Sequence, residues 1–142
     1  AGLALQAVNV NAGMDGSWFE PATSGQGLFF DVHPNGQGGG FFFGAWFTYG
    51  DGTDSGQQWY TVQGEYSQGS MVDIPLYETT GGSFDDPQAV TTEPRGAVSI
   101  DFVDCNHAVL AYDFEGSAGP EGSINLTRVV QGGEQLCETL TR

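Results

Sequence analysis

The chain contains two histidines, and they decide whether the commonest acid–base chemistry is available to it. They are His33 and His107. A serine or cysteine nucleophile usually needs a histidine beside it to take its proton. Ser24 lies in a glycine-rich segment rather than on the strand-to-helix turn that carries a hydrolase nucleophile. We therefore expect both histidines at the surface and no histidine-based active site.

Carboxylates are abundant enough to form pairs by chance. The chain has 18 Asp and Glu residues, and Glu65 with Asp31 or Asp73 is one combination that could flank a substrate. A glycosidase needs two carboxyls about 5 to 10 Å apart across a cleft. The sequence singles out no such pair, and we predict a protein that is not an enzyme.

One glycine-rich loop concentrates oxygen ligands. Asp51 and Asp54, with Thr53 and Ser55 between and after them, put two carboxylates and two hydroxyls in a predicted hairpin loop. Calcium takes about six to eight oxygen ligands and accepts such loops. The alternative is a plain turn, since Asp and Gly are favoured in turns for their backbone preferences. Calcium at Asp51 and Asp54 is the one cofactor that the sequence suggests.

Large aromatic residues are the other chemical signal. Four of them, in the first half of the chain, are candidates for stacking on a ligand: Trp18, Trp46, Trp59 and Tyr60. If exposed, such rings can stack on sugars or form a subunit contact. The alternative is that they fill the core, since large aromatics are highly buried on average.

The charge balance excludes two classes of partner. Lys and Arg number 3 against 18 Asp and Glu, which gives a formal net charge of −15. Nucleic-acid binding depends on cationic side chains that meet phosphates, and anionic membrane surfaces attract basic segments. No apolar run approaches the roughly 20 residues of a membrane span. We expect neither nucleic acid nor membrane insertion.

The two cysteines, Cys105 and Cys137, bear on the compartment. An even count in an acidic, glycine-rich chain suggests one disulfide and an oxidising environment. The alternative is two buried thiols. The first residues, Ala1-Gly2-Leu3-Ala4, resemble a mature terminus left by cleavage. Both features favour a secreted, extracellular or cell-surface protein.

These side chains must be positioned by strands, because the chain alternates in hydrophobicity with period two and shows no useful helical period. Turn residues divide it into short extended segments. The predicted strands are Gly16–Glu20, Gln26–His33, Gly39–Tyr49, Gln57–Tyr66, Met71–Glu78, Gly96–Val103, His107–Phe114 and 123–130. We predict an all-β fold: an antiparallel up-and-down meander of about eight or nine strands that closes as a barrel or sandwich.

Three segments carry more specific expectations. Gly39–Tyr49 has aromatics on both faces, so we expect it to be a central strand or to have its second face covered. Pro75 has no amide hydrogen, which predicts an edge strand or a bulge in Met71–Glu78, with Val72, Ile74 and Leu76 facing inward. We interpret Thr79–Arg95 as a long loop and Gln131–Arg142 as a tail pinned by Cys137.

The N-terminal segment is predicted to be distinct from the β-domain that follows it. Residues 1–13 form a predicted N-terminal strand or arm, and residues 14–142 a single β-domain. The arm is apolar and uncharged, and its candidate assembly residues are Leu3, Leu5, Ala7, Val8 and Val10. An ordered apolar leader must pair with a sheet edge, either of its own domain or of a neighbouring copy.

Three short sequence motifs, taken in this order, resemble those of a known family. They are Gly16-Ser17-Trp18-Phe19-Glu20-Pro21, then Ala45-Trp46-Phe47-Thr48-Tyr49, then Gly122-Ser123-Ile124-Asn125-Leu126-Thr127-Arg128. Together they resemble a β-rich module of exported proteobacterial proteins, which has no assigned function. The resemblance implies export and a paired Cys105 and Cys137. Gly16-Ser17-Trp18 alone is similar to the opening of avidin-type and lipocalin-type barrels, but no later tryptophan strand follows the avidin pattern.

From these patterns we expect a non-catalytic extracellular domain that assembles with itself. In this hypothesis the segment from Leu3 to Val10 of one copy adds a strand to the next, aided by aromatic contacts, and builds a filament or surface structure. The alternative is a carbohydrate-binding, lectin-like module that stacks sugars on Trp46 or Trp59. The expected partners are therefore the chain itself or glycans.

Overall fold

The computed structural model describes residues 8–50, 56–115 and 120–141. Eight strands follow one another along the chain. They are β1 (Gly16–Phe19), β2 (Gly27–Pro34), β3 (Gly40–Tyr49), β4 (Gln57–Tyr66), β5 (Met71–Thr80), β6 (Thr91–Asp104), β7 (His107–Phe114) and β8 (Glu121–Arg128). A short 3-10 helix, Ala12–Met14, precedes them, and one helix, α1 (Gly133–Thr141), follows.

The strands form a closed barrel in sequence order. Each strand pairs antiparallel with the next, and β1 closes the barrel on β8, where Trp18 lies opposite Arg128. The predicted all-β antiparallel meander of about eight strands is confirmed, and it closes as a barrel. Alternate residues fill the interior, as predicted for Leu28 and Phe30 of β2 and for Val98 and Ile100 of β6.

The strand that contains Pro75 carries the predicted bulge. Asp73 adopts a φ of 52°, and the pairing of β5 with β6 shifts between Met71 and Ile74. The extra residue reverses the side-chain alternation. Met71 is therefore buried beside Ile74, whereas Val72 is 63% exposed, so the inward placement predicted for Val72 is wrong.

Two segments have more regular structure than expected. The predicted loop Thr79–Arg95 is shorter than thought, because Thr80 pairs with Thr91 and extends β5 and β6 into a hairpin. The tail forms the helix α1, which packs on the 3-10 helix. A nine-residue helix is marginal alone, so contacts with the rest of the protein must stabilise it.

One end of the barrel is closed by these helices. The disulfide between Cys105 and Cys137, with an S–S distance of 2.03 Å, joins the β6–β7 turn to α1, which confirms the predicted pair. Beneath it the guanidinium of Arg128 lies 4.5 Å from the ring of Trp18. Arg128 Nε donates to the carbonyl of Cys105 at 2.7 Å, and Nη2 to that of Gly13 at 2.6 Å.

Part of the predicted arm packs on the same barrel. The amide of Val8 donates to the carbonyl of Phe102 at 2.7 Å, and that of Val10 to the carbonyl of Gly69 at 3.0 Å. Both side chains contact the core. Leu3, Leu5 and Ala7 fall outside the described residues.

Candidate functional site

A cavity of about 320 Å³ opens at the end of the barrel opposite the helices. Its aromatic lining comes from the inward-facing ends of β3, β4 and β7, and its polar lining from β3 and the β1–β2 loop. We call it the mouth cavity, and its principal lining residues are Gln26, Trp46, Thr48, Tyr60, Tyr112 and Phe114. A volume near 300 Å³ is at the lower end for ligand sites. The mouth cavity therefore suits a ligand with one or two rings.

Four aromatic rings form the floor of the mouth cavity. Trp46 lies between Tyr60, Tyr112 and Phe114, with its ring centroid 5.7, 5.6 and 6.0 Å from theirs. Tyr60 and Phe114 also pack edge to face at 5.2 Å. The rings are in mutual contact, so they offer a continuous surface rather than a cage around an empty centre. The electron-rich face of an aromatic ring attracts the weakly positive C–H groups of a ligand.

Gln26 is the polar group of the cavity, and it is held in one orientation. Its Oε1 accepts from Trp46 Nε1 at 3.2 Å and from Thr48 Oγ1 at 2.7 Å. The side-chain amide has two N–H donors, and they find no hydrogen-bond partner among the described residues. Gln26 is only 8% exposed. A ligand oxygen that enters the cavity would meet these donors.

The loop that carries Gln26 is fixed to the barrel by Glu20 and Tyr49. One carboxylate oxygen of Glu20 accepts from the amide of Ala22 at 3.0 Å, and the other accepts from the amide of Asn125 at 2.7 Å. Tyr49 Oη donates to the carbonyl of Ser24 at 2.7 Å. The rim of the mouth cavity is therefore preformed at Gln26, which reduces the entropic cost of ordering it around a ligand.

No charged side chain lines the mouth cavity among the described residues. Its polar groups there are amides and hydroxyls. An anionic ligand would meet no cation at this site and would approach a chain of net charge −15. The electrostatics therefore disfavour an anionic ligand.

The four predicted stacking residues separate into three places. Trp46 and Tyr60 lie together in the mouth cavity. Trp18 is 1% exposed beneath Arg128 at the closed end, so the stacking role expected of it is wrong. Trp59 is 46% exposed on the outside of the barrel, away from the other three.

The remaining candidate residues lie elsewhere. Asp51 and Asp54 fall outside the described residues, and the described part of the chain holds no group of three or more potential metal ligands. His33 and His107 are exposed, and a ring nitrogen of each lies 2.9 Å from a carboxylate oxygen of Asp31 and Asp104 respectively. Of the suggested glycosidase pair, Glu65 is exposed on the outside of β4, and neither Asp31 nor Asp73 borders the cavity.

The outside of the barrel also carries aromatics. We define the outer aromatic face by six half-exposed residues of β1 to β4: Phe19, Phe29, Phe41, Phe43, Phe47 and Trp59. The sequence predicted that Gly39–Tyr49 is a central strand or has its second face covered, and β3 indeed lies between β2 and β4. No described residue covers the outer face of β3, because the barrel is a single layer with its core inside.

Sequence reasoning missed Gln26, Tyr112 and Phe114 as site residues. The alternation of hydrophobicity along the strands nevertheless predicted that these three side chains face inward. Gln26 precedes Leu28 at the same inward parity, and Tyr112 and Phe114 follow Leu110 at the same parity. A polar residue at the inward end of a strand, opposite inward aromatics of other strands, was the available signal.

No family model, curated protein or solved structure matches this chain. Among the described residues, the helices are too short and too polar to traverse a bilayer.

Proposed function

We propose that the chain is a non-catalytic, secreted binding module that takes one neutral sugar unit of a glycan in its mouth cavity. The observation that carries the proposal is the pairing of an aromatic floor with the oriented amide of Gln26 at the open end of the barrel. The disulfide supports an oxidising compartment.

The aromatic floor and the amide of Gln26 match the two kinds of surface that a sugar presents. A pyranose has a C–H face, which packs on aromatic rings, and hydroxyls at its edge, which need hydrogen-bond partners. Trp46 and Tyr60 supply the first, and the free N–H groups of Gln26 supply a donor for the second. The absence of charged groups from the described lining favours a neutral sugar over a uronic acid.

Binding rather than turnover is the role that the described lining supports. Hydrolysis of a glycosidic bond needs an acid and a base or nucleophile near the bond. The described lining has no carboxyl, imidazole, thiol or amine. Its groups can hold and orient a ligand, and calcium has no part in this proposal.

Self-assembly by strand addition stays a prediction for residues 1–7. Val8 and Val10 donate their amides to their own barrel, so this part of the arm is occupied within the chain. Each described strand also has a neighbour on both sides. Any association of copies through the described residues is therefore better sought in side-chain surfaces.

The proposal is tested by titrating neutral monosaccharides and their disaccharides into the protein, with isothermal calorimetry as the readout. Concentrations up to about 20 mM cover weak sites, since a millimolar dissociation constant corresponds to about −4 kcal/mol. We expect at least one sugar to bind, and expect Tyr60→Ala to weaken that binding roughly tenfold through loss of a stacking surface worth about 1 kcal/mol or more.

The matched control is Phe84→Ser, which also removes an aromatic ring. Phe84 is 99% exposed on the β5–β6 hairpin and lies away from the mouth cavity. It should leave sugar binding unchanged. If no neutral sugar binds, or if Tyr60→Ala binds as well as the parent, the proposed function is wrong.

A further inference from the structure

The exposed aromatic residues of the barrel strands lie mainly on one side, and Phe84 projects from the β5–β6 hairpin beside Trp59. The outer aromatic face occupies β1 to β4, and its residues are 37–56% exposed. The corresponding outward positions of β6 to β8 are mostly small or polar, and include Ser99, Asp101, Ala111, Ser123 and Asn125. Scattered surface hydrophobics are normal, but a contiguous one-sided patch marks an interaction surface.

The register of the strands makes the patch contiguous. Phe19, Gly27, Phe47 and Trp59 lie opposite one another in a row across β1, β2, β3 and β4. Phe29 packs edge to face on Phe47, with ring centroids 5.6 Å apart. No member of this row is charged.

A depression of about 370 Å³ lies at one side of the outer aromatic face, between the rings of Phe19, Phe29 and Phe47. Gly27, between Phe19 and Phe47 in the row, lies on its floor, and Val129 extends its apolar wall. Trp59, at the other end of the row, presents a half-exposed ring beside Phe84 and Val90 of the β5–β6 hairpin. The outer aromatic face therefore has a hollow near β1 and a large accessible ring on β4.

We propose that the outer aromatic face is the interface of a symmetric dimer of this chain. A two-fold axis parallel to the strands would place β4 of one copy over β1 of the other. Each Trp59 would then meet the hollow of the opposite copy. Two-fold, isologous contacts are the commonest form of association between identical chains, and they need a surface that is complementary to itself.

The exposed area of the outer aromatic face is compatible with a second copy of the chain as its partner. A large aromatic side chain offers about 200 Å², so six that are roughly half exposed present about 500 Å². A standard interface buries about 800 Å² per partner. The aromatics would form its core, and the surrounding residues of β1 to β4 would supply the rim. Two exposed carboxylates, Asp31 and Glu65, lie opposite Phe43 and Phe41, so a basic partner is the competing outcome that the test must separate from a dimer.

The charge of the chain gives this dimer a distinctive salt dependence. Each copy carries a net charge of −15, so two copies repel at long range. The Debye length falls from about 10 Å at 0.1 M salt to about 3 Å at 1 M. Association should therefore strengthen with salt, whereas association with a basic partner would weaken.

Sedimentation velocity of the 142-residue chain, over a concentration series at low and high salt, tests the proposal. We expect a shift from the 15.0 kDa monomer to twice that mass, favoured by salt. Trp18 and Trp46 are buried, so a blue shift of tryptophan emission with concentration would report burial of Trp59. This readout is independent of sugar binding, and the two proposals can fail separately.

The variant Phe29→Ser/Phe47→Ser/Trp59→Ser should weaken the dimer by roughly tenfold or more, as expected for central aromatics. Trp59→Glu alone is a second, milder variant at a half-exposed site. Phe84 borders the same depression as Trp59, so the control is Leu140→Ser instead. Leu140 is 50% exposed on α1 at the closed end, and its variant should dimerise like the parent. A parent chain that stays monomeric at high salt overturns the proposal. So does equal association of the face variants and the control, or a face that binds only a different protein.

Discussion

At the residue scale, Gln26 is a neutral side chain whose oxygen and nitrogen are in different situations. Its oxygen receives two hydrogen bonds, from Trp46 and Thr48. Its nitrogen is not one of the buried atoms that lack a partner, so the N–H groups face the open end of the cavity, where water or a ligand oxygen can accept from them. The amide and the ring of Trp46 are coupled, because the indole N–H helps to orient the amide.

Asp15, at the opposite end, is exposed as a residue, but its carboxyl is partly withdrawn from water. Burial is the largest influence on the pKa of Asp15 and raises it above its ordinary value of 3.8, although the hydrogen bond from Val32 opposes the rise. The amide of Val32 donates to Asp15 Oδ1 at 2.6 Å. Folding therefore favours the protonated form. The associated stability is fully present below the unfolded pKa and is lost as pH rises through the folded one.

Asp15→Asn should consequently gain stability relative to the parent as pH rises from below 3.8. The substituted amide keeps an acceptor oxygen for Val32 and never ionises. Thermal unfolding of both proteins at several pH values between acid and neutral checks this. A difference in melting temperature that stays constant over that range contradicts it.

At the element scale, β5 and α1 show where hydrophobic alternation no longer predicts the structure. Alternation identified β2, β6 and β7 because each has a buried and an exposed face of distinct composition. The strand β3, with aromatics on both faces, was identified by its length and by the turn residues that bound it. Alternation failed at Val72, because a bulge at Asp73 changes the parity within β5. It also missed α1, because a short helix held by a disulfide and by tertiary contacts needs little helical periodicity of its own.

The mouth cavity could be predicted only in part, because hydrophobic alternation does not show which strands lie next to each other in the barrel. Trp46 and Tyr60 were recognised as aromatics in excess, but residue type alone cannot tell the three tryptophans apart. Their places depend on the barrel: Trp18 pairs with β8 at the closed end, Trp46 points into the mouth, and Trp59 points outward. Only the register of the strands separates them.

The disulfide should determine whether α1 stays in place. Its cysteines are 32 residues apart, and on the chain-entropy estimate a loop of that length contributes about 3–4 kcal/mol. Cys105→Ala/Cys137→Ala should lower the unfolding free energy by about this amount, which denaturant titration would measure. The variant should also become sensitive to proteolysis after Arg128. An unchanged unfolding midpoint and an intact tail would refute this account of the closed end.

At the scale of the whole molecule, the barrel has three distinct surfaces. The closed end is built from the 3-10 helix, α1 and buried Arg128, and it serves stability. The open end holds the mouth cavity, and the outside of β1 to β4 holds the outer aromatic face. Because a dimer through that face would leave both mouth cavities free, such a dimer would bind two sugar units at once and raise avidity for a repeating glycan.

The central claim is that the mouth cavity, and not the outside of the barrel, receives the sugar. The chain has three tryptophans, one in each place, and the indole N–H resonances in a ¹⁵N-labelled sample can report on them separately. Titration with a neutral sugar should shift the signal of Trp46 and leave those of Trp18 and Trp59 in place. A shift at Trp59 alone, or no shift at Trp46 at saturating sugar, would contradict the account.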